Sequence, residues 1–596
     1  MFAVASPRVA WRMSLLLVCA AAATKAAVAQ SSVSAAGTGL IVGTVVDAVT
    51  GAPLSATVVS IRPAGPRRPV LTGDSGEFLF TALPAGAYTI DVSRPGYLPG
   101  GYGRRRPRGD GVAIDLGDRE RRGGVVVRLW PWASISGSLT DEAGLPVVGA
   151  IVEAMRRTPL GRFDYGGDAM TDSRGAYQIT GLPPGDYVVG VHCRATSAPV
   201  PAGTARIATA SAAGADQASG NVTIDDSGRI FMATSGPLRA SVNGSRMQYV
   251  TTYYPGSTTT ATAGLVTVLA GQDQRGVDFA MVQRPAVRVS GIATGSNGPI
   301  RGAVLRLASP DLDLSDPEDA LFVFQSALSA DDGTFTFLAV PEGAYVLDAT
   351  QPASPPTVSV SKDGIPRLFS IALATFDRDG HWHRAPFAVG NRDIDGLVVS
   401  LRPGVRVSGI AELDGGIQLR FGPRVVALTE SGPFTIEGVP PGWYVLSAGR
   451  SGGSAISEAT LGGRDVLGVP IEIGTQDVSG LRVRIGAAGT RIEGDVLTAK
   501  GERTADATVV LFPADSSVWP SARQASPRFK SMRALTGRYV LDDVVPGAYL
   551  IAAVDDAVMD DWPSSTLLQR IASGAARIQV ARTTPLTQPL RMLTLR

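Results

Sequence analysis

Five times in this chain an aromatic residue is followed 8 residues later by a glycine and 10 residues later by a tyrosine. The copies are Phe78, Gly86, Tyr88; Tyr177, Gly185, Tyr187; Phe335, Gly343, Tyr345; Phe434, Gly442, Tyr444; and Tyr539, Gly547, Tyr549. A unit recurring at fixed internal spacing is a structural module, and it narrows the fold before any other feature does. A proline stands just ahead of each glycine, at Pro84, Pro184, Pro341, Pro441 and Pro546. Proline presets a turn-compatible φ and glycine tolerates positive φ, so the chain reverses there. On either side apolar and polar residues alternate, as in Phe78 and Phe80 around Leu79, then Tyr88, Ile90 and Val92. Period two is the signature of a strand with one face in a core. The spacing predicts a β-hairpin corner whose tyrosine is a buried anchor, its hydroxyl bonded to nearby backbone.

Each copy has a matching front end. Gly43-Thr44-Val45-Val46-Asp47 precedes Gly51-Ala52-Pro53 and then Ala56-Thr57-Val58-Val59. Gly137, Gly291, Gly409 and Gly494 open the corresponding segments, with the fourth degenerate after Gly409. A strand, a Gly/Pro turn and a β-branched strand read as a second hairpin. A further phrase closes each unit: Gly124-Val125-Val126-Val127, Gly276-Val277, Gly396-Leu397-Val398-Val399 and Gly480-Leu481-Arg482-Val483, with a weaker copy from Val580 to Leu595. The series G-x-V-x-D, G-x-P-x-x-x-A-x-V, D-x-x-G-x-F, L-P-x-G-x-Y resembles the carboxypeptidase regulatory-like domain. That resemblance implies an all-β chain, a tandem array of about five Greek-key, transthyretin-like sandwiches of seven strands each, and covers nearly everything after about residue 38.

The expected boundaries are a signal peptide over 1–29, then sandwiches over 38–129, 130–285, 286–401, 402–486 and 487–596. Sandwich two carries an insertion near 196–243, expected as a mobile surface excursion with short strands at Asn221-Val222-Thr223-Ile224 and Arg229-Ile230-Phe231, and sandwich three one near 361–387. The linkers are too short for free motion, so a stiff string of domains is expected. The one convincing helix signal follows Trp562, with Ser565 as N-cap.

The leader signal is Arg8 and Arg12, an apolar run from Met13 to Ala23, and Ala27-Val28-Ala29. The run is too short to span a bilayer. Cys19 is a poor lipid-attachment position because Val18 precedes it. Without the leader the formal net charge falls from +2 to −1, which gives no footprint for nucleic acid. Cys193 is then the sole cysteine, which excludes an intrachain disulfide. It stands in register with Tyr187, Val189 and Val191 and reads as a small buried hydrophobe.

Each catalytic pattern in the chain lacks a required partner. Gly73-Asp74-Ser75-Gly76 lacks an upstream histidine, the first being His192, and reads as a turn. Gly449-Arg450-Ser451-Gly452-Gly453 fits a nucleophile elbow, but no histidine follows His383. His192, His381 and His383 form no zinc motif, and His381-Trp382-His383 reads as an exposed loop. Asp311, Asp313, Ser315, Asp316 and Asp319 lack the glycine and closing glutamate of a calcium loop. Arg104, Arg105, Arg106 and Arg108 read as a solvated basic loop. A related family, the CnaB-type pilin and adhesin domains, forms Lys–Asn isopeptide bonds, but Lys362, Lys500 and Lys530 fall on no first strand. No cofactor and no metal are expected.

One set of side chains resists the bland reading: Tyr97 and Tyr102, Tyr249, Tyr253 and Tyr254, Trp382, and Trp562, all just after a corner strand. Exposed, they would stack on sugar rings; buried, they would hold neighbouring domains together. Tyr97, Tyr102, Tyr253, Tyr254 and Trp382 are the candidate ligand-binding residues. The expected function is a non-enzymatic, monomeric exported spacer or binding protein of the cell envelope, in the periplasm, on the outer surface or secreted. Its partner would be an unidentified protein or polysaccharide. Carbohydrate binding through the aromatics and a peptidase accessory role are the alternatives.

Overall fold

The computed structural model describes residues 37–595 apart from 64–68, 200–220, 225–228, 234–238, 241–245, 311, 313–322, 324, 354–357, 361–365, 369–379, 414, 423, 450–454, 487–489, 505–506, 520–527, 535–536 and 582–583. The leader, the aspartates from 313 to 319 and the elbow-like segment after Gly449 lie outside the described residues. The chain is all-β, and its buried apolar side chains gather into five principal cores that follow one another along the sequence.

The first unit sets the pattern. Its strand Gly39–Asp47 lies between Glu77–Leu83, antiparallel, and Arg121–Leu129, parallel. A second sheet pairs Val58–Arg62 with Val70–Leu71 and Gly86–Ser93, and Ile114–Leu116 with the latter. The first strand is held in the same way in the other units. Ala133–Thr140 pairs with Ala176–Leu182, Val282–Gly295 with Thr334–Pro341, Val405–Glu412 with Gly432–Val439, and Thr490–Leu497 with Arg538–Val544. Each also has a parallel partner from the phrase that closes its unit.

This topology corrects the hairpin reading of the corner. Glu77–Leu83 and Gly86–Ser93 do not pair with each other; they belong to opposite sheets. Phe78 and Phe80 from one, and Tyr88 and Ile90 from the other, meet in one core. Alternation marks which side chains go inward, and it is blind to whether two successive strands lie side by side or face to face. The Pro-Gly bend is an arch across the sandwich. The front-end turn is also a crossing, since Gly39–Asp47 and Val58–Arg62 lie in different sheets.

The recurring glycines have a common cause. A β-carbon on Gly43 would stand 2.2 Å from the Val125 carbonyl oxygen, on Gly137 2.1 Å from that of Val277, and on Gly291 2.0 Å from that of Leu397. On Gly409 it would meet the Leu481 oxygen at 1.9 Å, and on Gly494 the Gln588 oxygen at 2.2 Å. Four of these carbonyls follow directly on a glycine with positive φ: Gly124 (+70°), Gly276 (+77°), Gly396 (+72°) and Gly480 (+85°). In the first, third and fourth units the parallel register slips at this place, the mark of a bulge. A left-handed glycine thus drives the last strand's backbone onto the first strand, where only a residue without a side chain leaves room.

Units two and three are welded. The strand Val282–Gly295 pairs through residues 282–286 with Arg246–Val250 and through its remainder with the third sandwich. From the insertion expected to be mobile, Ala195–Pro199 pairs in parallel with Gln325–Leu328 and antiparallel with Arg229–Ala233. Those strands extend the third unit's sheet. In the fifth unit the helix Ser565–Ala572 lays Leu567, Leu568 and Ile571 on a second apolar cluster with Val510, Phe512, Ala552 and Val554. Its N-cap is Ser564, whose hydroxyl accepts from the Leu567 amide, one residue before the expected cap.

Candidate functional site

The corner tyrosines face inward. Tyr88, Tyr187, Tyr444 and Tyr549 are buried, and Tyr345 packs against the third core. Four hydroxyls donate to a carbonyl four residues upstream: Tyr88 to Pro84 at 2.8 Å, Tyr187 to Pro183 at 2.6 Å, Tyr345 to Pro341 at 2.9 Å and Tyr549 to Val545 at 2.8 Å. The fifth, Tyr444, lies against Phe421, ring centroids 5.7 Å apart. Burial pushes the phenols of Tyr187, Tyr345 and Tyr549 up to about 12. Gly86, Gly185, Gly343, Gly442 and Gly547 begin the strand that carries each tyrosine. These residues bind the corner to its own sandwich.

The candidate aromatics do not form an exposed platform. Tyr253 is 5% and Trp382 7% exposed. Trp382 begins the strand Trp382–Val389, exchanges backbone hydrogen bonds with Arg402, and has that guanidinium 4.6 Å from its ring centroid. The expected loop over 381–383 is therefore largely strand, at the seam between units three and four, and the His383 ring nitrogen Nδ1 lies 3.1 Å from the Ser400 carbonyl oxygen. Tyr97 donates to Asp47 Oδ2 at 2.9 Å and bridges to Pro131 at the seam of units one and two. Tyr102 packs on the first core and Tyr254 on the second, and Tyr249 donates to Glu142 at 3.2 Å. Trp562 stacks edge-on against Phe512. Sugar stacking needs an open ring face, which burial removes at Tyr253 and Trp382. Among the described residues the exposed large aromatics are Tyr165 and Trp443, neither singled out by the sequence reading.

One constellation has the outline of catalytic machinery. His192 Nδ1 lies 2.7 Å from Glu153 Oε2, and its Nε2 lies 3.2 Å from the Tyr253 hydroxyl. Arg194 reaches the same carboxylate at 3.2 Å. Although burial works against ionisation, His192 and Arg194 hold the Glu153 carboxyl below the usual range. The group arises because Glu153 pairs with Gly190 and Gly190 with Tyr253, so three neighbouring strands bring the side chains together. His192 and Tyr253 are both buried, with Tyr253 enclosed by Met155, Val188 and Phe163. A partly buried carboxylate and a buried imidazole and phenol that satisfy one another have the form of a structural network. Glu153 escaped sequence reasoning because its partners lie 39 or more residues away.

Elsewhere Asp348, 1% exposed, is held by Arg306 at 2.6 Å and Arg384 at 2.9 Å across three strands in register. Cys193 is buried and its thiol is pushed up to about 12 by desolvation. No group of three metal-ligating side chains occurs among the described residues. A cleft of about 240 Å³ opens between units four and five, lined by Glu458, Asp465, Arg528, Gln579 and the fifth corner. No helix is long and apolar enough to cross a membrane among the described residues.

Comparison with known proteins matches residues 40–119 to the carboxypeptidase regulatory-like domain. No curated protein matches. Among solved structures, the chain is similar to the Bacillus anthracis TIE protein at 12% identity, over 61% of this chain and 51% of that one, with a TM-score of 0.16. It is also similar to a streptococcal ancillary pilin at 11% identity, over 61% and 98%, with a TM-score of 0.19. BcpA, the major pilin subunit of Bacillus cereus, gives 8% identity, 61% and 99%, and 0.14. The chain thus spans about half the length of the first of these, and scores so low say nothing about assembly. The fold class rests on the sheets described above, and the matched segment holds Gly43, the Gly86 arch and Tyr88. Over residues 40–119, in its first sandwich, the chain is similar to the carboxypeptidase regulatory-like domain.

Proposed function

We propose that the mature chain is a non-catalytic, exported scaffold of the cell envelope, a monomer of five sandwiches with boundaries near 130, 286, 402 and 487. Its partner is a protein or polysaccharide in the periplasm or at the outer surface. The observation that carries this reading is the His192, Glu153 and Tyr253 group: its imidazole and phenol are buried and its carboxylate is partly buried, within a unit's own packing. The recurring motif residues likewise serve the arch and the strand crossing. The test is an assay of the purified mature protein on peptide and glycan substrates, alongside a pull-down from native envelope. No turnover and a retained envelope component are expected. Hydrolysis that His192→Ala abolishes without unfolding the protein contradicts the reading.

Glycan binding is a second reading, favoured by one observation. Trp443, 48% exposed, lies opposite Glu472 in register, so an exposed indole and a carboxylate share one face of the strand pair. A glycan array read with the mature protein and with Trp443→Ala tests it. Binding lost in the variant supports it, and an array without signal removes it.

A further inference from the structure

The segment Gly100-Gly101-Tyr102-Gly103-Arg104-Arg105-Arg106-Pro107-Arg108-Gly109 was expected to be a solvated basic loop, yet it is docked. Arg106 Nη1 lies 2.9 Å from Asp560 Oδ1, and its Nε 3.5 Å from Asp556 Oδ2, on the 3₁₀ turn Asp556–Asp561 of unit five. Arg533, also of unit five and buried, donates to the Gly103 carbonyl. A β-carbon on Gly109 would stand 3.4 Å from Asp556 Oδ2, so the loop's backbone rests on the turn. Asp556 is 1% exposed, and its other oxygen accepts from Thr508 at 2.8 Å. Arg108 feels unit two as well: desolvation and then the Arg156 charge lower its pKa, while Tyr187, Asp164 and Asp560 oppose the shift. These contacts join residues more than 400 positions apart. They turn the expected open string back on itself.

We propose that the arginine-glycine loop of unit one is a charge-controlled clasp: seated on the acidic turn of unit five, it closes the array head to tail, and salt releases it. The loop's composition suits the task. Glycines at 100, 101, 103 and 109 let its backbone approach closely, and arginines supply forked donors for carboxylates. The receptor is complementary, with Asp556 and Asp560 presented on one short turn. Asp560 is largely exposed, with its side chain at 62%, so part of the attraction is open to screening. Unlike the seam of units two and three, no strand pairing joins units one and five among the described residues. The clasp is therefore the separable joint, and its release converts a closed chain into an extended one.

X-ray scattering on the whole mature protein tests this by its maximum dimension. Between about 0.05 and 1 M salt, where the screening length falls from over 10 Å to about 3 Å, the dimension is expected to rise to that of an open array. Arg106→Glu is expected to be extended at low salt, and Asp560→Arg, which sets like charges against Arg106, to be extended as well. Far-ultraviolet circular dichroism and thermal transitions identical to wild type show that the sandwiches stay folded in each variant. A wild-type protein extended at low salt, a dimension that ignores salt, or charge-reversal variants that stay compact overturn the proposal.

Discussion

At the scale of single residues, each sandwich turns on a glycine crossed by a carbonyl. In unit three, Gly291 has the Leu397 oxygen where a β-carbon would go, whereas Gly390 has ordinary φ and open space around it. Gly291→Ala is therefore expected to cost about 3 kcal/mol or more, because backbone must move, and Gly390→Ala to stay within about 0.5 kcal/mol. Urea unfolding of the two variants checks this; equal effects would refute the crossing. Asp348 gives a second residue-scale prediction. Desolvation opposes its ionisation, but Arg306 and Arg384 outweigh that and hold its carboxyl below the usual 3.8. A depressed folded pKa means the triad's contribution is complete above the ordinary aspartate value and lost as pH falls through the lower folded one. Stability is expected to decline below about pH 4 in wild type, and Asp348→Asn, which strands two arginines, to cost about 3–5 kcal/mol at neutral pH. Thermal unfolding followed from pH 7 down to pH 2 would show the variant's acid dependence flattened. The positions of these glycines were legible in the sequence. Their reason was not, because the crossing carbonyl belongs to a strand about 70 to 140 residues away.

At the scale of elements, alternation located the strands and the Pro-Gly motif located the bends. What sequence periodicity could not carry was pairing. The strand ending at Leu83 and the one beginning at Gly86 were read as a hairpin and prove to be faces of opposite sheets. In the insertion of unit two, rich in Ala, Ser, Gly and Thr, the short strands at 221–224 and 229–231 were legible and pair with each other, but their place in the third unit's sheet was not. The strand Ala195–Pro199 finds a parallel partner in Gln325–Leu328, and pairing of that kind leaves no local mark. The aromatics after the corners were visible but their exposure was not, since burial of Tyr253 and Trp382 depends on neighbouring strands and on a neighbouring unit. With sheets running across their seam, units two and three are expected to unfold as one cooperative transition. Calorimetry of residues 130–401 as a single protein checks this, one peak against two resolved ones.

At the scale of the whole molecule, the chain is a set of sandwiches whose first strands are the organising elements. Gly39–Asp47, Ala133–Thr140, Val282–Gly295, Val405–Glu412 and Thr490–Leu497 each lie between an antiparallel partner and a parallel one. Phe163–Met170, by contrast, is an edge with one paired side. A strand bonded on both sides opens only when its sandwich does, and an edge opens on its own. Amide hydrogen exchange by mass spectrometry on the whole protein reads this directly. The account predicts that the five first strands are among the slowest segments of their units, far slower than Phe163–Met170. First strands that exchange as fast as that edge would contradict it.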